Sequence, residues 1–194
     1  MKIGVLAFQG AIEEHVQMLK SCGVSYIKIT SGDKLREIDA LILPGGESST
    51  IGHFLEQKQL IEPIRDFAAR GNPIMGTCAG MILLANKIEN QQKTYLELMD
   101  ISVKRNAFGR QRESFEALLD ISPLRENKLK GIFIRAPYIT NLGEGVKELA
   151  RYDGKVVAAR QDNLLVGAFH PELGQDIRWH KYFINMIKEF KDNG

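Results

Sequence analysis

Cysteine is scarce in this chain, whose 194 residues include only Cys22 and Cys78. The two cysteines form no C-x-x-C pair and have no metal-ligand spacing with the four histidines, so neither a zinc site nor a disulfide-rich scaffold is expected. A single disulfide between them remains open. The first residues lead straight into a strand without a signal-peptide pattern, which favours a reduced, cytoplasmic protein.

The chain also has no large excess of positive or negative charge. The formal net charge is only +2 at pH 7, which gives no electrostatic reason to expect nucleic acid or an anionic membrane as a partner. No apolar run approaches the length that spans a bilayer. The composition is ordinary for a globular protein, with 44% hydrophobic and 26% charged residues, and the length suits one domain over 1–194.

Hydrophobic periodicity predicts two halves of different character. In the first half, short apolar runs alternate with helical patterns, which is typical of a parallel sheet with helices on both faces. Strands are predicted over 2–8, 24–30, 39–43 and 73–77, and helices over 11–22, 50–57, 60–70 and 79–86. In the second half, strands are predicted over 101–104, 115–119, 131–135, 146–152, 155–160 and 164–169, and a final amphipathic helix over 177–190. We therefore expect an α/β fold with a mostly parallel central sheet and an antiparallel extension.

Cys78 lies in the sequence Gly-Thr-Cys-Ala-Gly, after a predicted strand and before a predicted helix. This segment has the G-x-S-x-G form with sulfur in place of the serine oxygen, a pattern that presents a nucleophile on a sharp strand-to-helix turn. A thiol attacks as the thiolate, which a helix N-terminus and a histidine stabilise. Taken alone, a cysteine before an apolar helix is more often a small buried hydrophobe.

The four histidines are candidates for the base that such a thiol needs. His15 and His180 fall within helical patterns, where a surface or packing role is expected, and His53 follows Pro-Gly-Gly without further support. His170 stands at the end of a predicted strand, where α/β sheets build their ligand crevices. Glu172 is two residues further on, and along extended chain its carboxylate would share a face with the imidazole and orient it. A surface turn is the alternative for this segment.

A glycine-rich turn, Leu-Pro-Gly-Gly-Glu-Ser-Ser over 43–49, links another predicted strand to a helix. Backbone N–H groups in such a turn can face a developing oxyanion, and glycine lets a substrate approach closely. The turn lacks the lysine of a phosphate-binding P-loop, and Gly4 with Gly10 does not complete G-x-G-x-x-G. A plain turn with a helix cap is the alternative. The cysteine, histidine and glycine segments together favour a cysteine hydrolase.

Taken together, these segments resemble the class I (triad) glutamine amidotransferases, and among them the glutaminase subunits of pyridoxal 5'-phosphate synthase. The residues that carry the resemblance run from Gly4 to Leu173 and read GVLAFQGAIEEH, LILPGGESST, GTCAG, RNAFGRQRESFE, IFIRAP and FHPEL. The resemblance implies a flavodoxin-like three-layer αβα sandwich. It also implies a triad of Cys78, His170 and Glu172 that hydrolyses L-glutamine to L-glutamate and ammonia through a thioester, without a metal or an organic cofactor.

The resemblance assigns further residues to the site. Backbone N–H groups of Gly46 and Ala79 would hold the oxyanion. The residues that match the family's glutamine-binding positions are Gly46, Glu47, Ser48, Arg105, Ile134 and Arg135. An arginine suits this role, because a guanidinium pairs with the α-carboxylate of the substrate. By charge alone, Arg105 would instead belong to a solvated or partner-facing basic loop with Lys104, Arg110 and Arg112, and Arg135 would end a strand at the surface.

The resemblance further implies a partner, because free ammonia becomes protonated and the chain has no room for a second catalytic domain. In the family, the partner is a (β/α)8-barrel synthase subunit in a large ring with one glutaminase on each barrel, here expected as a 12+12 assembly. It joins the ammonia to ribose 5-phosphate and glyceraldehyde 3-phosphate. The turn at Gln9 and Gly10 and the first helix, with Glu13, Glu14 and His15, are the expected contact elements.

Two other interpretations of the sequence remain open. A peptidase or deglycase of a related flavodoxin-like family would keep the thiol and change the substrate. A pseudoenzyme would keep the fold and act as a regulatory binding module. Glutamine-dependent release of ammonia, increased by the synthase subunit, distinguishes the amidotransferase from both.

Overall fold

A computed structural model describes residues 1–106, 113–124 and 127–193 of the chain. Its first half alternates strands and helices, as the periodicity predicts. The elements are β1 (Lys2–Leu6), α1 (Ile12–Ser21), β2 (Ser25–Ile29), a 3₁₀ helix (Asp33–Glu37), β3 (Ala40–Leu43), α2 (Ser48–Gln57), α3 (Ile61–Ala69), β4 (Ile74–Thr77) and α4 (Ala79–Leu84).

The second half consists mainly of strands and ends in a long helix. The elements are β5 (Ala85–Ile88), β6 (Met99–Lys104), β7 (Ser114–Leu119), β8 (Leu129–Ile134), β9 (Tyr138–Leu142), β10 (Lys147–Tyr152), β11 (Lys155–Gln161), β12 (Leu164–Gly167), a second 3₁₀ helix (Pro171–Leu173) and α5 (Arg178–Asn193). Within the described residues, every helix is too short or too polar to cross a bilayer.

The main sheet has the strand order β2-β1-β3-β4-β12-β11-β9-β6-β5, with β10 paired to β11. The first five strands in this order are parallel to one another. This arrangement has the strand order of flavodoxin-like sheets. Antiparallel pairing begins at β11 and continues through β9 and β6. The predicted α/β fold, with a parallel core and an antiparallel extension, is confirmed.

The centre of the parallel core is buried, because β3, β4 and β12 are short and mostly apolar, whereas the edge strand β2 is partly exposed. All residues of β3 (ALIL), β4 (IMGT) and β12 (LLVG) are buried. Strands covered on both faces read as continuous apolar runs rather than as alternating patterns. Because β1, β3, β4 and β12 are parallel neighbours, the segments that follow them all begin at one edge of the sheet. This edge brings together the turn at Gln9, the glycine turn, Cys78 and His170.

The part of the sheet beyond β12 differs from the prediction at two strands, β5, which pairs with β6 in parallel, and β9. The helix predicted over 79–86 ends at Leu84, and Ala85 opens β5, which pairs with β6. β9 was not predicted, although it joins β6 to β11. Both strands are short and carry polar residues, so their extended form comes from pairing with neighbours and not from local periodicity.

Candidate active site

Cys78 occupies the turn between β4 and α4 in a strained backbone conformation, with φ 49° and ψ −102°. The flanking glycines permit this turn. A Cβ on Gly76 would lie 2.6 Å from the backbone of Gly80, and a Cβ on Gly80 would lie 2.1 Å from the carbonyl oxygen of Leu43. The Cys78 N–H donates to the carbonyl of Gly167 at 2.8 Å, which ties the turn to the end of β12. Strain of this kind is typical of a residue held for function.

His170 follows β12 and is held from two sides. Its backbone N–H donates to the carbonyl of Ile132 in β8 at 2.7 Å. Its ring Nδ1 lies 2.7 Å from Oε1 of Glu172, and both side chains are buried. The prediction that this pair shares an extended face was wrong, because Pro171–Leu173 forms a 3₁₀ helix. Proline suits the first helical position, and the tight turn still brings the carboxylate to the imidazole.

The charges of this pair stabilise each other. Burial alone would lower the pKa of His170, but its hydrogen bonds with Cys78 and Glu172 outweigh burial and raise the pKa to about 10. Burial alone would raise the pKa of Glu172, but the nearby His15 and the hydrogen-bonded His170 lower it below its ordinary value. An imidazolium between the Glu172 carboxylate and the Cys78 sulfur is therefore favoured at neutral pH.

These two shifts make the stability contributed by the pair depend on pH. The contribution of Glu172 is present above its ordinary pKa of 4.5 and is lost as the pH falls further. The contribution of His170 is present below its ordinary pKa of 6.5 and is lost as the pH rises towards about 10. We expect Glu172→Gln to lower the free energy of unfolding by a few kcal/mol at about pH 5.5 and by clearly less at about pH 9. Urea unfolding across this range measures the difference, and an equal loss at both pH values would contradict the ion pair.

A pocket of about 190 Å³ opens onto the Cys78 sulfur. This volume is smaller than the roughly 300–1,000 Å³ of sites for drug-sized ligands and suits one small metabolite. Most residues proposed from the sequence line it, namely Gly46, Glu47, Ser48, Cys78, Arg105, Ile134, Arg135 and His170. Glu172 lies behind His170, and Ala79 is the first residue of α4. Gln9, Ile82 and Asn106 also line the pocket and were not predicted as part of it.

The glycine turn is fixed by the start of α1. The Ala11 N–H donates to the carbonyl of Gly45 at 3.0 Å, and the Glu47 N–H donates to Oε1 of Gln9 at 2.8 Å. Gly10 has φ 105°, and a Cβ there would lie 1.8 Å from the Gly45 oxygen, so only glycine permits this contact. The turn that faces the sulfur is therefore set by contacts with a different part of the chain.

Charged side chains stand at the mouth of the pocket. Arg105 donates from Nη2 to Oε1 of Glu47 at 2.6 Å, and both side chains are partly exposed. Arg135 has φ 41°, a conformation that is unusual for a residue with a side chain. Its N–H donates to the carbonyl of Glu113 at 2.7 Å, which holds this backbone in place. Of the basic residues grouped with Arg105 in the sequence, Arg110 and Arg112 lie outside the described residues.

The other cysteine and histidines lie apart from the pocket. Cys22 and Cys78 are both free, which rules out the disulfide left open by the sequence. His53 is exposed on α2. His15 and His180 are completely buried, so the packing role is correct and the surface role is wrong. The prediction that His15 contacts a partner is also wrong, because its side chain does not reach the surface.

The comparisons with known proteins agree with this geometry. The chain matches the SNO glutamine amidotransferase family model over residues 5–189. A protein from Geobacillus sp. named pyridoxal 5'-phosphate synthase subunit PdxT is 52% identical over 191 residues, which cover 98% of this chain and 99% of the relative. A protein of the same name from Desulforamulus reducens is 53% identical over 188 residues, or 97% of this chain and 100% of the relative.

Two solved structures show the same architecture. One, described as a crystal structure of glutamine amidotransferase, has a TM-score of 0.91 and 40% identity and covers 96% of this chain and 98% of that one. The other, described as the structure of PurLQS from Thermotoga maritima, has a TM-score of 0.69 at 17% identity and covers 97% of this chain and 98% of that one. The second likeness concerns the fold alone.

Proposed function

Because this chain belongs to the SNO glutamine amidotransferase family, we propose that it is the glutaminase subunit of a pyridoxal 5'-phosphate synthase. In this role it hydrolyses L-glutamine to L-glutamate and ammonia. The observation that carries the proposal is the meeting, at one pocket, of a sulfur on a strained turn with an imidazole that a buried carboxylate holds. The family relation supports glutamine as the substrate, and the geometry supports the roles proposed for the residues.

The first half of the reaction forms a thioester. The thiolate of Cys78 attacks the side-chain amide carbon of glutamine, and a C–S bond forms as the carbonyl oxygen becomes an oxyanion. The backbone N–H groups of Gly46 and Ala79 are our candidates for holding that oxyanion, Ala79 with the added field of the α4 N-terminus. The C–N bond then breaks, and the His170 imidazolium gives its proton to the leaving nitrogen, which departs as ammonia.

The second half of the reaction releases glutamate. His170, now neutral, takes a proton from water, and the resulting hydroxide attacks the thioester carbon. The C–S bond breaks, and the proton returns to the Cys78–His170 pair. Glu172 keeps its hydrogen bond to Nδ1 throughout, so the other ring nitrogen faces the sulfur and the leaving group.

Glutamine binding is assigned to the mouth of the pocket. We propose that the guanidinium of Arg105 pairs with the α-carboxylate and that Glu47 accepts from the α-ammonium. The two side chains are already paired with each other at 2.6 Å. Ser48, Ile134 and Arg135 line the same pocket and complete the proposed glutamine subsite.

Removal of the Arg105 charge tests this assignment. We expect Arg105→Met to raise the KM for glutamine about 10- to 100-fold with a smaller change in kcat, since a charge-assisted hydrogen bond is worth about 1.5–3 kcal/mol. Steady-state kinetics give both constants. Arg36→Met, at an exposed arginine outside the pocket, is the matched control. An unchanged KM in the Arg105 variant would instead favour the interpretation that Arg105 belongs to a solvated loop and does not bind glutamine.

The ammonia requires an acceptor, and we propose a separate synthase subunit with a (β/α)8 barrel, arranged with this chain in a 12+12 assembly. The names of the relatives describe a subunit, which supports a partner of this kind. Of the contact residues expected from the sequence, Gly10, Glu13 and Glu14 are exposed and available for docking. Because α1 also fixes the glycine turn, docking there would act on the oxyanion groups. We also propose a cytoplasmic location, where Cys22 and Cys78 would remain reduced.

An ammonia assay tests the proposed function. The full chain is incubated with glutamine, with and without a pyridoxal 5'-phosphate synthase barrel subunit, and ammonia and glutamate are measured. We expect both products in equal amounts and a higher rate when the barrel subunit is present. Hydrolysis of peptides but not glutamine would favour the peptidase interpretation, and binding to the barrel without turnover would favour the pseudoenzyme.

A further inference from the structure

Two buried histidines lie behind Glu172 and have no role in the mechanism described above. His15 on α1 and His180 on α5 are 0% exposed. His15 Nε2 lies 3.5 Å from Oε2 of Glu172 and 3.1 Å from Oγ1 of Thr77. His15 Nδ1 lies 3.0 Å from Nε2 of His180. Three imidazoles and one carboxylate thus form a continuous line from α5 to the pocket, with His170 at its catalytic end.

The hydrogen-bond requirements of this line point to one set of tautomers. Oε1 of Glu172 is occupied by His170, and Oε2 has no conventional hydrogen-bond partner among the described residues. The side-chain nitrogen beside Oε2 is Nε2 of His15, at 3.5 Å. A lone pair at that position would instead face a buried carboxylate oxygen, which costs free energy. The favourable arrangement places the His15 proton on Nε2, shared between Glu172 and Thr77.

The far end of the line agrees with the same assignment. If His15 carries its proton on Nε2, its Nδ1 is an acceptor, and Nε2 of His180 must be the donor. Nδ1 of His180 then holds a lone pair, and this atom has no partner among the described residues. The opposite tautomers would leave an N–H there without an acceptor. Buried donors without a partner are rarer than under-satisfied acceptors. Both ends of the line therefore favour the same tautomers, with the proton on Nε2 in His15 and in His180.

Neutral rings are required for this arrangement, and burial provides them. Burial lowers the pKa of His15, although the neighbouring Glu172 opposes the shift. Burial also lowers the pKa of His180 well below its ordinary value, and His15 adds to the effect. The groups that face His15 are Glu172, Thr77 and His180, with Glu14 beside it on α1, and the charge of His170 also acts on it. Among the described titratable groups, His15 and His170 are the ones that act on Glu172. Both rings are therefore neutral near pH 7.

We propose that His15 is a positioning residue for the glutaminase reaction, with its Nε2–H holding the second oxygen of Glu172 while His180 fixes its tautomer. The carboxylate is then held through both oxygens, one by His15 and one by His170. A carboxylate held in this way keeps its charge and its direction towards His170 when the imidazole gives up and regains a proton. The inference rests on the proposed function, because it assigns His15 to the same reaction.

Three substitutions separate the contacts of His15. His15→Gln places an amide N–H near the position of Nε2 and can still reach Glu172. His15→Asn places its amide near the position of Nδ1 and can reach only His180. His15→Leu removes both contacts at similar volume. Wild type and Cys78→Ala are assayed beside them, so that failure of the whole proposed function, with an inactive wild type, is distinguished from failure of this inference alone.

We expect His15→Leu and His15→Asn to lower kcat about tenfold with little change in KM, a fraction of the roughly 10²–10⁴-fold that positioned acid–base groups contribute. The kcat of His15→Gln should stay within about threefold of the wild-type value. The acid limb of the kcat–pH profile should move up by about one pH unit in the Leu and Asn variants, because Glu172 without its donor is protonated more easily. A role in folding alone would lower activity equally at every pH.

A second measurement does not depend on substitution. In the full chain labelled with the heavy nitrogen isotope in histidine, the ring nitrogen shifts report which nitrogen carries the proton. We expect His15 as the neutral Nε2–H tautomer at neutral pH. A proton on Nδ1 would overturn the proposal, and so would equal kcat and equal acid limbs in the Leu, Asn and Gln variants.

Discussion

We expect Cys78→Ala to abolish glutamine hydrolysis, with kcat falling at least about 10³-fold, and to leave the fold intact. The reason is that no other group at the pocket can form the thioester, and loss of a catalytic nucleophile leaves only the background of binding and oxyanion stabilisation. The free energy of unfolding should change little, because alanine keeps the Cβ and adopts the positive φ of this turn at about the same cost as cysteine. Ammonia release gives the rate, and thermal unfolding gives the stability.

Cys22→Ala is the matched control for that variant. Cys22 is the other free cysteine, partly buried at the end of α1 and outside the pocket. A glutamine analogue that carries an electrophilic ketone should label wild type and Cys22→Ala and leave Cys78→Ala unlabelled. Ammonia release at the wild-type rate from Cys78→Ala would remove Cys78 from the role of nucleophile.

His170→Asn has the second large effect, a loss of kcat of about 10³-fold or more, as expected when the base of a catalytic triad is removed. The asparagine amide can replace Nδ1 as the donor to Glu172, but it has no second ring nitrogen to exchange a proton with Cys78. The variant therefore separates orientation of the carboxylate from proton transfer. Its labelling by the electrophilic analogue should also slow, because the thiolate loses its imidazolium partner.

His53→Asn is the control for this substitution, because His53 is exposed on α2 and lies outside the pocket. Its kcat should match that of wild type. A fully active His170→Asn variant would mean that a different group takes the proton from the thiol, and the triad would then have to be assigned again.

The sequence predicts well that Cys78 and His170 meet at one pocket, because each follows a strand of the parallel core. Apolar runs locate β3, β4 and β12, and in a doubly wound sheet the carboxyl ends of such strands meet at one crevice. Cys78 and His170 could thus be paired without knowledge of any contact. The glycines around Cys78 are explained equally directly, because close approach of α4 to β3 and β4 leaves no room for a side chain.

The contacts behind the triad were not predictable in the same way. Periodicity places His15 in the helical pattern of α1 between Ile12 and Leu19, and it leaves open whether that face of the helix is exposed or buried. It does not indicate what a polar side chain on that face meets, and the partner His180 comes from the last helix of the chain. The 3₁₀ turn at Pro171 was missed because proline is equally compatible with extended chain and with the start of a helix. In both cases tertiary packing decides between local alternatives.

The late position of β12 in the chain has a consequence for synthesis. β12 inserts between β4 and β11, so a ribosome must deliver residues 164–167 before the parallel core can close. Until then the nascent polypeptide exposes an unpaired strand edge of the kind that invites association with other chains. It also lacks both the Gly167 carbonyl that receives the Cys78 N–H and the imidazole of His170, which is proposed to activate the sulfur. On the proposed mechanism, the emerging polypeptide has no glutaminase activity until its final segment is made, and we expect shielding by a chaperone to matter most just before that point.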